Sequence, residues 1–303
     1  MTNKEKNFIS AVVYLHNNEK AVRPFFSALN ERLDAHFEQY ELIAVDDGCT
    51  DGTLDAVRGF AKEELQKPLT VLHMSLRQGV ELCMNAGQDC AIGDFVYEFD
   101  SAAMPYPPEM IWQAYQTALS GSDIVSVCPS RSRGLSRMFY RVFNAFSRTP
   151  GRLRTEAFRL LSRRAINRVH AISQDLPYRK AAYAASGLAM ASLTFEGQAP
   201  ELGSGRVSLA LDSLALYTDA AFRLSAGVAL AMLALTLAEL AYTLWVFLGG
   251  GHPIEGWTTT MLVLTLGFGG VFAILAIVLK YLSLLVDLVF KKQKYLLESI
   301  EKL

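Results

Sequence analysis

The stretch Glu41-Leu42-Ile43-Ala44-Val45-Asp46-Asp47-Gly48-Cys49-Thr50-Asp51-Gly52-Thr53 decides the fold. It begins as a short apolar run with β-branched residues, the pattern of a buried strand. It then meets two acids and a glycine, followed by the turn signal Asp51-Gly52. At Thr53 a helical pattern opens. A strand that ends on acids and turns directly into a helix is the repeating unit of a layered α/β sheet. Taken alone, the acids could cap a plain β-to-α turn or hydrogen-bond a nucleotide base or ribose.

The same alternation extends on both sides. Phe8–Leu15, Leu69–Met74, Phe95–Phe99 and Asp123–Val127 read as further strands. Glu19–Phe37, Thr53–Leu65, Val80–Ala91 and Pro108–Ser120 read as helices. A largely parallel sheet follows, and ligands bind such sheets outside the carboxyl ends of the strands. Two of these ends are acidic: Asp46/Asp47, and Glu98/Asp100.

Hydropathy divides the chain. Of 303 residues 51% are hydrophobic, with mean hydropathy +0.20, but the apolar residues concentrate late. Leu224–Leu248 carries one charge, Glu239, and Leu262–Leu279 carries none. Each run approaches the ~20 residues that span hydrocarbon as a helix. The Gly249–Gly256 connection has no Lys or Arg, whereas Arg206 and Arg223 precede the first run and Lys280, Lys291, Lys292 and Lys294 end or follow the second. By the positive-inside rule, both termini face the cytoplasm of an inner or plasma membrane. Met1–Ser10 is polar and does not read as a signal peptide. The four cysteines form no CxxC pair and read as reduced structural thiols. The histidines lack metal-ligand spacing and read as structural.

Between Arg131 and Arg168 there are eleven arginines and one acid, Glu156. Leu135, Met138, Phe139, Val142, Phe143 and Phe146 fall on one helical face, with Arg133, Arg137, Arg141 and Arg148 elsewhere. This basic amphipathic helix suits an anionic membrane surface; packing on the sheet domain is the alternative, and nucleic acid is disfavoured. Ser208–Leu216 reads as another surface-lying stretch, and the charged tail Lys291–Leu303 as a helix. The expected organisation is a core over 1–130, an Arg-rich acceptor and juxtamembrane part over 131–218, a two-helix hairpin over 219–290 and a tail over 291–303.

In this context AVDDGCTDGT resembles the VDDGSTDGT element of family 2 glycosyltransferases. Asn17-Asn18-Glu19 resembles that family's first turn, and Ser75–Gly79, Asn85-Ala86-Gly87 and Ala91–Asp94 its middle segment. Glu98-Phe99-Asp100 stands where the family has its DxD metal motif, followed by Pro107-Pro108-Glu109. Phe158-Arg159-Leu160-Leu161 resembles its FRLL element. With two spans, the chain is similar to the branch that uses polyprenyl phosphate, such as dolichyl-phosphate mannose synthases and bacterial undecaprenyl-phosphate glucosyltransferases.

The resemblance implies a GT-A fold and an inverting transfer from a UDP- or GDP-sugar to a polyprenyl phosphate. It implies donor binding by Asn17, Glu19, Asp46, Asp47 and Arg77, and Mg²⁺ or Mn²⁺ on Glu98 and Asp100. Asp100 and Arg159 take the catalytic roles, and Arg154, Arg179 and Lys180 take the acceptor phosphate. For Arg159 the plain alternative is an ion pair with Glu156. Membrane lipids and a homo-oligomer are the further expected partners.

Departures from the pattern matter chemically. The metal motif is ExD, and the Gln that often follows it is Ala102. An acid often found before the FRLL element is Ala157. A lipid phosphate is already ionised and needs no general base, so the loss at 157 is tolerable. A sugar hydroxyl would need a base, and no good candidate stands out. If the metal is lost, arginines must neutralise the leaving diphosphate. The alternative function is a catalytically weak, transferase-like scaffold or regulatory subunit.

Overall fold

The computed structural model describes residues 4–131, 153–172, 178–198, 256–290 and 295–303, with short stretches at 140–141, 144–145 and between 227 and 238. The chain divides into two compact units: Met1–Ala145 with Thr149–Ala210 and Gln293–Leu303, and Phe146–Arg148 with Leu211–Lys292.

In the first unit the apolar runs become strands. They are β1 (Ile9–Leu15), β2 (Tyr40–Asp46), β3 (Leu69–Met74), β4 (Phe95–Phe99), β5 (Ile124–Arg131), β6 (Phe158–Ser162), β7 (Met190–Gln198) and β8 (Leu297–Lys302). Among the described residues they form one sheet in the order β7-β5-β6-β4-β1-β2-β3-β8. β1 pairs in parallel with β2 and β4, β2 with β3, and β5 with β7. β6 runs antiparallel between β4 and β5, and β8 antiparallel along β3. This is the expected α/β GT-A arrangement as a mixed sheet.

Helices α1 (Glu19–His36), α2 (Thr53–Glu63), α3 (Val80–Cys90) and α4 (Glu109–Leu119) follow the first four strands. α1 buries Val22, Phe25, Phe26, Leu29 and Leu33, the i, i+3, i+4 stripe that the sequence carries. These join Phe60, Phe99, Tyr97 and Phe158 in one core. A second core on the other face gathers Val12, Val45, Leu72, Met84 and Leu161. There α3 lies very close to the sheet. A Cβ added at Gly87 would come within 2.2 Å of Val12 Cγ1 and 3.0 Å of Val45 Cγ2. α5 (Arg163–Ile172) follows β6, and α6 (Arg179–Ala185) precedes β7.

The tail corrects one expectation. It is a strand, not a helix. Thr70 pairs with Lys302 and His73 with Ser299. The open edge of β3 supplies a ladder that outweighs the weak helical spacing of Leu296, Leu297, Ile300 and Leu303. All four cysteines are free, as the sequence implied.

The second unit contains α7 (Trp257–Phe290), a helix of 34 residues, about 50 Å long at 1.5 Å per residue. Gly270 of α7 meets the helical residue Met232, whose Cγ would lie 2.8 Å from an added Cβ. No span is assigned among the described residues, where no helix counts as long and apolar enough to cross a membrane. Several side chains of α7 and most of 224–248 lie outside those residues. So do most of the basic stretch 131–148, all of 208–216, and 249–255.

Candidate active site

The parallel strands deliver their expected residues to one edge. Asn17 follows β1, Asp46 and Asp47 close β2, Arg77 follows β3, and Glu98 and Asp100 close β4. Asn17 adopts φ 53°, a left-handed conformation that Asn tolerates. From there its Oδ1 accepts the Thr50 backbone N–H at 2.8 Å and ties the β1 and β2 turns together. Gly48, at φ 67°, makes the turn after the acid pair. Asn17, Glu19 and Arg77 are exposed.

The two aspartates divide their work. Asp47 is wholly buried. Its Oδ1 accepts from the Gln78 backbone N–H at 2.6 Å, and its Oδ2 from Gly79 N–H at 3.0 Å and the Tyr14 hydroxyl at 2.7 Å. Its carboxylate therefore holds the β3–α3 loop and does not point to solvent. Asp46 accepts the Cys49 N–H at 2.8 Å on Oδ1, and its Oδ2 lies 3.0 Å from His73 Nδ1. His73 Nε2 in turn lies 3.2 Å from Glu301 Oε2, and Arg58 clasps Glu301 with two bonds of 3.1 and 3.0 Å. The tail strand thus reaches the donor loop through one imidazole. Sequence reading treated His73 as merely structural, since a partner 228 residues away leaves no local signal.

At the end of β4 the sheet register decides the chemistry. Antiparallel pairing sets Arg159 of β6 opposite Glu98, with Ser126 of β5 on its other side. Arg159 Nη1 donates to Glu98 Oε2 at 2.6 Å and Nη2 to Asp100 Oδ2 at 3.3 Å. From the first turn of α6, Arg179 Nη1 donates to Glu98 Oε1 at 2.7 Å and Nη2 to Asp100 Oδ1 at 2.7 Å. The two carboxylates and two guanidiniums form a closed ring. Arg159 Nε also donates to Glu156 Oε2 at 3.0 Å, and Arg179 Nε to Glu81 Oε2 at 2.9 Å. The Tyr183 hydroxyl and the Gln88 amide donate to Glu98 Oε1. Lys180 Nζ stands 3.6 Å from Glu156.

This ring is almost closed to water. Arg179 and Glu98 side chains are 0% exposed, Arg159 2% and Asp100 10%. Burial alone would push the Asp100 carboxyl up, but Arg179, Arg159 and Lys180 outweigh it and hold it below the usual carboxylate range. Glu156 is depressed against its burial in the same way, by Arg159 and Lys180. Both guanidiniums are held above their ordinary value by the facing carboxylates, despite burial. Removing one partner of such a buried set costs about 3–5 kcal/mol.

The residues expected to hold Mg²⁺ or Mn²⁺ do not fit a cation as they stand. All four oxygens of Glu98 and Asp100 already accept from guanidinium groups, and Ala102 is a buried methyl with no oxygen to add. Among the described residues no cluster of three His, Cys, Asp or Glu side chains is arranged for a metal. Arg179 and Lys180, expected to face the acceptor phosphate, are buried in this network. Arg159 forms the plain ion pair with Glu156 and more besides. Arg154 alone of the three acceptor candidates is exposed. It lines a cavity of about 350 Å³ with Ser126, Cys128, Glu156, Gly187 and Met190. Glu156 belongs to both the cavity and the ion-paired cluster. Burial pushes the Cys128 thiol in this cavity up to about 12, so it is no nucleophile.

The family profile described as "Glycosyl transferase family 2" matches residues 10–183, which hold both the donor edge and the ring. The chain belongs to glycosyl transferase family 2. Among curated relatives, an uncharacterised glycosyltransferase of Bacillus subtilis is 21% identical over 96% of this chain and 93% of its own length. An undecaprenyl-phosphate 4-deoxy-4-formamido-L-arabinose transferase of Edwardsiella ictaluri is 23% identical over 98% and 95%. Among solved structures, a mannosyltransferase of Pyrobaculum calidifontis in complex with GDP-Man and Mn²⁺ is 17% identical and covers 95% of this chain and 89% of its own, with TM-score 0.52. That likeness shows the fold. As a family 2 member the protein is a glycosyltransferase. Its catalytic unit is the one built on the eight-stranded sheet.

Proposed function

We propose that this family 2 transferase moves a sugar from a nucleotide-sugar to a polyprenyl phosphate at the cytoplasmic face of a membrane. The observation that carries this is the pairing, in one chain, of a donor edge with a long helix of unusual surface. α7 exposes Leu264, Phe268, Val271, Phe272, Leu275, Leu279 and Leu282 as one continuous stripe along its length, Phe272 to 65%. A 34-residue helix whose exposed large side chains form an apolar stripe is suited to lipid. The Gly270–Met232 approach is the small-residue contact used between helices in bilayers. The relative named for undecaprenyl phosphate agrees with this reading.

In this scheme Asn17, Glu19, Asp46 and Arg77 hold the nucleotide, and Asp47 fixes the loop that carries Arg77. An acceptor phosphate oxygen, already ionised, attacks the anomeric carbon from the side opposite the diphosphate. The anomeric C–O bond breaks and the nucleoside diphosphate departs with the electron pair. One displacement inverts the configuration, and no residue is asked to take a proton. Arg154 at its cavity is the exposed cation for the acceptor phosphate. Asp100 and Arg159 fix the electrostatics at the end of β4.

The test is transfer of labelled sugar from a panel of UDP- and GDP-sugars to polyprenyl phosphate by the purified full chain. A sugar-lipid from one donor, lost in Arg154→Ala, is the expected result. No product from any donor, together with no nucleotide binding, defeats the reading. One observation favours a second reading. The ion-paired ring fills the family's metal position, as a transferase-like scaffold could tolerate. Nucleotide-sugar binding without turnover would select it.

A further inference from the structure

We infer that the Glu98/Asp100 pair of this chain is closed to divalent cations, and that Arg159 and Arg179 stand in the cation's place, so that donor binding does not depend on metal. This rests on the donor reading given above. In the ring, two guanidiniums supply the two unit charges that one divalent ion would bring. Each guanidinium bridges both carboxylates, as a cation between two acidic ligands would. A hard cation needs free carboxylate oxygens, and none of these four is free of a guanidinium partner. Admitting one would push a guanidinium off its carboxylates at a site where Arg179 is 0% and Arg159 2% exposed. Burial makes that displacement unfavourable.

The charge count sharpens the consequence. Glu81, Glu98, Asp100 and Glu156 face Arg159, Arg179 and Lys180, four acids against three bases. The three bases fall one charge short of the four carboxylates, so the cluster has no surplus positive charge for a diphosphate. That task falls to Arg77, exposed after β3, whose backbone N lies close beside Gly48 at the turn of the acid pair.

The experiment uses the full chain in detergent micelles. Mn²⁺ is titrated and followed by electron paramagnetic resonance. The expected spectrum is that of free aqueous Mn²⁺. One bound Mn²⁺ per chain, lost in Asp100→Asn, overturns the inference. Arg179→Met frees one edge of the carboxylate pair and is expected to gain a bound Mn²⁺ signal. If that variant does not fold, the wild-type titration decides. GDP and UDP are then titrated calorimetrically in EDTA and in Mn²⁺. Affinities that agree within about threefold between the arms, and loss of binding in Arg77→Ala, are expected; a gain of tenfold or more with Mn²⁺, about 1.4 kcal/mol, overturns the inference. If neither nucleotide binds in either arm, the donor reading fails and the role of Arg77 with it, while the Mn²⁺ titration still decides whether the pair is closed.

Discussion

Asp100 and Glu156 keep their negative charges almost out of reach of water because arginines stand against them, and the benefit depends on pH. Both carboxyls titrate lower in the folded chain than their ordinary values. A depressed carboxylate adds stability above its unfolded pKa of about 4, and the contribution is lost as pH falls toward the folded value. The denaturation midpoint of the wild type is therefore expected to drop steeply below about pH 4. Asp100→Asn should flatten that drop. Arg159→Met should lose about 3–5 kcal/mol in chemical denaturation, because three acids lose a common partner. Arg159→Lys should recover little of it, since an ammonium cannot span Glu98, Asp100 and Glu156 with a planar fork. Of the ion pairs in this cluster, only Arg159–Glu156, three residues apart and outside the ring itself, was legible in the sequence. Glu81, Glu98 and Arg179 come from distant elements, and only the β4–β6 register and the start of α6 bring them together.

The elements before residue 130 were legible nearly to their ends. The strand at Glu41–Val45 and the helices at Glu19 and Thr53 stand where their apolar spacing put them, because both sheet faces are covered and the core tolerates no slip of pattern. Beyond that point the signals are tertiary. β6, five residues long like β4, lies inside the arginine-rich stretch 131–168, whose charges hide its apolar run, and β8 carries helical spacing yet pairs as a strand. The close seating of α3 gives a direct check: Gly87→Ala should cost about 1–3 kcal/mol, since the new methyl meets Val12 and Val45. For β8, a chain truncated before Leu297 should expose the β3 edge and aggregate, read by light scattering. Glu301→Gln should keep the thermal midpoint but weaken nucleotide binding severalfold by freeing His73 and Asp46. An unchanged dissociation constant would limit Glu301 to a packing role.

For the whole molecule, membrane insertion is the property to measure. The full chain is expected in the membrane fraction and resistant to carbonate extraction. With the four native cysteines replaced, His252→Cys should react with an impermeant maleimide from outside the cell, and a cysteine near the C-terminus only after lysis. The reverse pattern would reverse the orientation given to both runs. The position of β8 also sets an order of events in biosynthesis. His73 and Glu301 are 228 residues apart in the chain. At 5–20 residues per second, the ribosome needs on the order of 10–45 s to travel between them. The β3 edge therefore stays uncovered until the apolar stretches have been made. In a truncated transcript or a stalled chain the sheet would never close, and His73 beside the donor loop would lack its Glu301 partner. Of the eight strands, Leu297–Lys302 is made last, so its emergence is the step that closes the sheet of the catalytic unit.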